Sequence, residues 1–524
     1  MSSPLVRLPT SVVLALLGGL LMWLSFPPVA FGPAAILGAA LFSAAVWAAP
    51  ARRGLGVGLL TGVAFFAPLL SWMQVIGTDA WIGLSLFCAG WYALVGLGSA
   101  LVSRLPGAPV WIACVWVLGE GLRARIPWGG FPWGNLSFGQ VDGSLANWAA
   151  LGGAPLVTFA VVVLGASLVA VARDAGARRW RPLAGWLAVL LIGAVGSLLV
   201  RVPSGDDVGG ASEATVAIVQ GGTPQVGMGA LDVRRAVLDN HVAATLDLAE
   251  AIAAGEAEQP EFVLWPENST DIDPFADASV ADAITAAARA VGAPILVGAV
   301  TPVPNRTDAV WNVGIVWDPE RGPTDMYIKT HPVPFGEFVP FRGFLSRYID
   351  RFDRVPRDFL PGEEPGNLEI GGVAVGNVIC FEIAYGEVVD AVVRGGARLI
   401  TVQTNNATYG GTAQPAQQLQ IERLRATEAG RTVLVAATSG ISAVIHSDRT
   451  VVQRMDEGQT GWLVDRVPLT GSLTPASRFG WILEAALALL AVAAIAVAAR
   501  SAISARRLRR AREAIPASRV DHLG

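Results

Sequence analysis

The chain is predicted to join a multi-span α-helical membrane domain to an extracytoplasmic α/β domain. Hydrophobic residues fill 53% of its 524 positions and charged residues only 15%, and the apolar material concentrates in the first 200 positions and in one stretch near the C-terminus. From 213 to 470 the pattern changes to strand-like runs separated by amphipathic helical stretches. Positive charge is written almost entirely as arginine, 37 residues against a single lysine, and most arginines outside the 213–470 region flank the apolar segments.

A helix needs roughly 20 mostly apolar residues to cross a bilayer. Seven such segments fit before position 202, at 9–26, 31–49, 55–76, 80–103, 108–122, 150–172 and 183–200, and an eighth at about 479–499. The fifth carries Glu120 and ends early at Arg123. Short loops rich in arginine stay on the cytoplasmic side. With seven spans before the soluble region, one face collects fourteen arginines, among them Arg52, Arg104, Arg178 and Arg506, and the other only Arg123, Arg125, Arg201 and Arg478. This asymmetry puts both termini in the cytoplasm. The resulting division is a membrane domain over 1–202, an extracytoplasmic domain over 203–477, a final span over 478–500 and a basic cytoplasmic tail over 501–524. The first span has no A-x-A-like cleavage site and more spans follow it at once, so it reads as a retained anchor.

Of three cysteines, Cys88 and Cys114 fall inside predicted spans, leaving Cys380 as a free thiol outside, where an unpaired thiol is a liability. His241, His331, His446 and His522 are scattered without metal-ligand spacing, so neither a metal nor another cofactor is expected. The net charge of −4 and the placement of the basic residues give no sign of nucleic-acid binding.

Strands are predicted at 214–220, 261–265, 294–300, 311–317, 373–379, 398–404 and 432–438, and helices at 231–255, 278–291 and 413–430. Strand and helix alternate, which makes the domain α/β. In such domains functional residues gather at the C-terminal ends of strands. Glu267 in EFVLWPENS and Cys380 in GNVICFEIAYG occupy such positions, and the one lysine, Lys329, lies in YIKTHPVPFGEFVPF. A lone lysine in an arginine-biased chain is either a chance survivor or an amine retained because a compact, rotatable ammonium does what a planar guanidinium cannot.

Glu in a WPE context, Lys in a YxKxHxVPFGE context and Cys in a CFE context, in that order, resemble the nitrilase superfamily. With spans on both sides, and with GEGLRARIPWGGFPWGNLSF (119–138) and TNNATYG (404–410), nearly the whole chain is similar to the apolipoprotein N-acyltransferases, which add the third acyl chain to bacterial lipoproteins. The resemblance implies an αββα sandwich outside the bacterial cytoplasmic membrane, a phospholipid acyl donor, a diacylated apolipoprotein acceptor and a Glu267–Lys329–Cys380 triad; a monomer is expected. Cys380 would be the nucleophile, Glu267 the base and Lys329 the oxyanion donor, with the Phe381 N–H as partner. Glu337 and Glu382 match positions the family uses around its site. Glu337 would orient Lys329 or Glu267, or be a solvated loop carboxylate, and Glu382 would hydrogen-bond the loop carrying Cys380.

Phe335, Phe338, Phe341 and Phe344 recur at spacings of three in 334–349 and form either a lid dipping toward lipid or part of the domain core. Trp128, Phe131, Pro132 and Trp133 read as an interfacial aromatic belt. Phe335, Phe338, Phe341, Trp133 and Tyr409 are the candidates for facing substrate or lipid. The chain departs from the family pattern at Phe381, at Asn405 to Tyr409 and at Gly227, Met228 and Gly229. Rival readings are a membrane-tethered amidase or nitrile hydrolase with water as second nucleophile, a transporter with a ligand-binding outer domain, and an inactive scaffold. Only the fifth span carries a central ionisable residue, which argues against a translocation path.

Overall fold

A computed structural model of the chain describes residues 4–202, 212–225, 227, 235–270, 272–345, 347 and 356–513. Met228 and Gly229, the start of the helix expected at 231–255, residues 346, 348 and 349 of the aromatic segment, and the tail beyond 513 lie outside the described residues.

Helices stand at all eight places where a span was predicted. They are α1 (Leu8–Trp23), α2 (Pro33–Val46), α3 (Ala51–Leu69), α4 (Thr78–Val102), α5 (Ala108–Arg123), α6 (Ala149–Gly176), α7 (Trp180–Leu199) and, at the far end, α13 (Pro475–Glu513). Among the described residues, four apolar stretches are long enough by themselves to cross a membrane: Thr78–Val102, Ser144–Gly176, Trp180–Leu199 and Pro475–Ser504. α13 runs on through the residues expected to form the start of the tail, so that part is helix. α6 packs against α2, α5, α7 and α13, and is kinked where Gly152 and Gly153 leave helical geometry just before Pro155. The α3–α4 contact is a stripe of small residues. A Cβ on Gly58 would sit 2.0 Å from the Tyr92 carbonyl oxygen, so the backbones approach as closely as only glycine permits.

The remaining helices are α8 (Ala236–Ala253), α9 (Ala278–Val291), α10 (Arg342–Leu345), α11 (Gly386–Arg394) and α12 (Gln414–Ala429). The strands are β1 (Glu213–Gln220), β2 (Phe262–Leu264), β3 (Ile295–Pro302), β4 (Ala309–Asp318), β5 (Gly322–Ile328), β6 (Asp358–Phe359), β7 (Asn367–Ile370), β8 (Val373–Ile379), β9 (Leu399–Thr404), β10 (Val433–Ala437), β11 (Ser442–Ile445), β12 (Val451–Met455) and β13 (Gly461–Pro468). One sheet runs β13-β1-β2-β3-β4-β5 with β6 added beside β4, and the other β12-β11-β10-β9-β8-β7. In each the central strands are parallel and the outer ones antiparallel, except that the short β6 runs parallel to β4.

Ile218, Phe262 and Leu264 from the first sheet share a core with Val375, Ile379 and Leu434 from the second. The first sheet's other face meets Leu238, Leu248 and Ile284 on α8 and α9. The second sheet's other face, through Val378, Ile400 and Val402, meets α11 and α12 and merges with the core of the membrane domain. The order of layers is α-β-β-α, as the resemblance implied. One outer helical layer lies against the membrane helices, with α12 packed on α6. All seven expected strands are present; the expectation lacked β5, β6, β7, β11, β12 and β13.

Candidate active site

Three strand ends and one later loop converge. Glu267 follows β2 by three residues, and its backbone passes so close to β3 that a Cβ on Gly298 would lie 2.2 Å from Pro266 O and 2.8 Å from Glu267 Cα. Lys329 directly follows β5, with its N–H donating to Asn312 O at 2.9 Å. Cys380 directly follows β8 and opens a short 3-10 turn, Cys380–Ala384. Its φ of 56° lies in the left-handed region, a conformation costing a non-glycine residue on the order of 1–3 kcal/mol and held here by the surrounding structure.

Glu267 and Lys329 are buried. The Lys329 ammonium donates to Glu267 Oε1 at 3.2 Å and to Glu337 Oε1 at 2.9 Å. Asn312, at the middle of β4, donates through one amide nitrogen to the same two oxygens, at 2.7 and 2.9 Å. The other oxygen of Glu267 accepts from the Asn405 N–H at 2.9 Å, and that of Glu337 from the Val333 N–H at 2.6 Å. Burial works against the Lys329 charge, yet Glu337 and then Glu267 hold the ammonium well above its ordinary range. Burial pushes the Cys380 thiol up to about 12, with Glu267 adding to the rise and Lys329 opposing it. Cys380 therefore rests as a thiol rather than a thiolate, and a base would have to take its proton for the sulfur to attack. Among the described residues no group of three or more His, Cys, Asp or Glu side chains is arranged to hold a metal.

Glu382 is fully buried. Its Oε1 accepts from the Thr330 and His331 N–H groups at 2.8 and 3.0 Å, and from the Tyr327 and Thr330 hydroxyls, both at 2.9 Å. Its Oε2 accepts from the Ile379 N–H at 2.8 Å. One carboxylate therefore fixes the loop carrying the cysteine to the loop carrying the lysine. Glu337 touches Lys329 directly and reaches Glu267 only indirectly, through the shared Lys329 ammonium and Asn312 amide. Asn312 was missed, although an amide inside WNVGIVW is a signal: a polar side chain in an apolar central strand needs a partner.

The aromatic residues divide. Phe335, Phe341 and Phe344 are exposed and belong to no core, whereas Phe338 is half-buried. Trp128, from the loop after α5, is also exposed and meets Phe335 and Phe341 edge-on, at ring separations of 5.6 and 5.9 Å. Trp133, expected in an interfacial aromatic belt and as a residue facing substrate or lipid, is buried rather than interfacial. It is 2% exposed, its indole N–H donates to Gln417 Oε1 at 2.8 Å, and its ring stacks on Phe381 at 5.9 Å. Phe131 stacks on Phe381 at 5.5 Å, and Pro132 is buried. The cause is Arg123, fully buried at the end of α5, which donates to the carbonyls of Phe131 and Trp133 and folds the loop inward. Glu120 is buried beside it, accepting from the Leu136 N–H and the Thr158 hydroxyl. Tyr409 packs edge-on against Trp72 at 5.0 Å, and its hydroxyl is held above its ordinary range by burial and by the nearby Cys380.

Residues 18–167 match the family described as apolipoprotein N-acyltransferase N-terminal domain, and residues 215–471 match carbon-nitrogen hydrolase. An apolipoprotein N-acyltransferase from Mycolicibacterium smegmatis is 41% identical over 90% of this chain and 82% of its own length. The chain belongs to the apolipoprotein N-acyltransferase family. A relative of the same name from Ralstonia nicotianae is 30% identical over 91% of each chain. Among solved structures, an amidase of the nitrilase superfamily from Nesterenkonia is 19% identical, with a TM-score of 0.36, over 49% of this chain and 92% of its own. The two family matches fall on the two parts of this molecule, the helical domain and the sandwich.

Proposed function

We propose that this family member moves a fatty acyl chain from a membrane phospholipid to the α-amine of the N-terminal diacylglyceryl-cysteine of an apolipoprotein, through a thioester on Cys380. The observation that carries the reading is the convergence of Glu267, Lys329 and Cys380 at strand ends directly against the membrane domain. In the first half, Glu267 takes the thiol proton as sulfur attacks the donor's ester carbonyl. The tetrahedral oxyanion is stabilised by the Lys329 ammonium and the Phe381 N–H. The C–O bond then breaks, Glu267 returns the proton to the departing oxygen, and lysophospholipid leaves. In the second half the acceptor amine attacks the thioester, Glu267 receives a proton from the nitrogen, and as the C–S bond breaks Glu267 passes that proton to the departing sulfur, regenerating the cysteine thiol and the carboxylate. Glu337 and Asn312 keep Lys329 and Glu267 in register.

Both substrates are lipid-anchored, so the site must stay at the bilayer surface, and the exposed rings of Trp128, Phe335 and Phe341 suit such a surface. We place the enzyme as a monomer in the bacterial cytoplasmic membrane, with residues 1–202 and 478–500 embedded, 203–477 outside and 501–524 in the cytoplasm. The test is the intact mass of the purified protein after incubation with phospholipid. A hydroxylamine-labile acyl adduct, absent in Cys380→Ser and discharged by a diacylated lipopeptide, is expected. Absence of the adduct, with ammonia released from simple amides, would replace the reading with a membrane-tethered amidase.

A further inference from the structure

Next to the thiol lies a line of buried polar side chains with no part in the mechanism above. Thr404 ends β9, and its hydroxyl donates to Cys380 Sγ at 3.3 Å. The same hydroxyl accepts from Gln418 Nε2 at 3.0 Å, and the other hydrogen of that amide goes to Glu422 Oε1, also at 3.0 Å. Gln418 Oε1 in turn accepts from Asn406 Nδ2 at 2.9 Å and Gln414 Nε2 at 3.1 Å. All five side chains are buried. Gln414, Gln418 and Glu422 follow one another at intervals of four on α12, so one helical face that could have been apolar is polar and inward.

Burying such groups is unfavourable unless every hydrogen bond is made, and here each bond limits the next. Both hydrogens of the Gln418 amide are committed, one of them to Thr404. The threonine oxygen is thus an acceptor on that side, and its single hydrogen points toward sulfur. Among the described residues, the other acceptor within reach of that hydrogen is Asn406 Oδ1, at the longer distance of 3.5 Å.

We propose that Thr404 is a further catalytic residue, stabilising negative charge on Cys380 sulfur, and that Gln418 and Glu422 are positioning residues that keep its hydroxyl proton on the thiol. The inference rests on Cys380 being the nucleophile. As the S–H proton passes to Glu267 the sulfur gains charge, and a hydrogen bond to a charged acceptor is stronger than one to a neutral thiol. The same bond favours sulfur as leaving group when the acceptor amine expels it. The Thr404 hydroxyl also opposes the burial that holds the thiol proton. The other charged or titratable groups facing the thiol are Glu267, Lys329 and Tyr409, with Glu382 in its own turn.

The experiment is the rate of acyl-enzyme formation by intact mass, from pH 6 to 9, in membranes or detergent micelles. Thr404→Val keeps the shape and removes the donor. It is expected to slow acylation about tenfold and move the pH profile up by about one unit, while Thr404→Ser restores both. Glu422→Leu, which frees the Gln418 amide, is expected to move the profile in the same direction by less. A wild-type profile in both Thr404→Val and Glu422→Leu, or equal loss in the Val and Ser variants, overturns the proposal. Failure of the underlying reading looks different: no adduct in the wild type, or an undiminished adduct in Cys380→Ser.

Discussion

Replacing Lys329 by arginine preserves charge, so it separates what the ammonium does from what any cation would do. The lysine cannot retreat. Its N–H is bound to Asn312 O at 2.9 Å, its carbonyl accepts from the Gly362 N–H at 2.8 Å, and its side chain is 1% exposed. Two of its three ammonium hydrogens are used on Glu267 and Glu337, leaving one for an oxyanion. A guanidinium is longer, wider and flat. In this cavity it overpacks, at a cost of ~1–3 kcal/mol in stability, and its fork pairs with the carboxylates while no donor remains at the oxyanion position. Loss of one such donor slows acyl transfer by about 10²–10³. Lys329→Arg is therefore expected to purify folded and membrane-bound, with acyl-enzyme formation, followed by intact mass after mixing with phospholipid, reduced by that factor. A variant within about tenfold of wild type, a barrier change under about 1.4 kcal/mol, would refute the oxyanion role.

Other outcomes follow from the same geometry. Glu337→Gln sets an amide N–H against one of three donors that now share a carboxylate, leaving a buried donor unpaired at ~1–3 kcal/mol; acylation should fall roughly tenfold, and an unchanged rate would make Glu337 a bystander. Paired replacement of Trp128 by Asp and Phe341 by Ser should cut the rate on phospholipid vesicles at least about tenfold, since each ring contributes ~1.5–3 kcal/mol when buried in lipid, and spare a short soluble ester; equal loss on both would mean misfolding. With the Cys380 thiol raised from 9.0 to about 12, its contribution to stability is present below about pH 9 and lost as pH climbs toward 12. At pH 8 the resting enzyme then holds about a thousandfold less thiolate than an ordinary cysteine, partly offset by higher nucleophilicity, so iodoacetamide should react on the order of 30-fold more slowly than with a free thiol. Alkylation as fast as a free thiol would show a preformed thiolate and remove the need for Glu267 as base.

The central strands were legible because both their faces are covered, which makes them continuous apolar runs such as VAVGNVI and RLITVQT. Edge strands were not: β5, GPTDMYI, is largely solvent-exposed and carries Pro323, Thr324 and Asp325 where a core strand would be apolar. Glu267, Lys329 and Cys380 could be read because each sits at a strand end in a distinctive local string. Asn312 meets Glu267 across 45 residues of chain and Thr404 meets Cys380 across 24, and no local string records a distance. Trp133 was misread for a related reason: an aromatic loop between two spans reads as interfacial until a buried arginine, Arg123, is seen to pull it inward.

The stack of Phe131 and Trp133 on Phe381 places membrane-domain side chains against the residue next to Cys380. Cutting the chain on both sides of the sandwich, between α7 and β1 and between β13 and α13, would not release a working water-soluble enzyme. The severed sandwich would bare one side of its own catalytic turn, together with the surface of α12 that rests on α6. Proteolysis on both sides of the sandwich thus has no active fragment to liberate, and acyl transfer stays tied to the membrane domain.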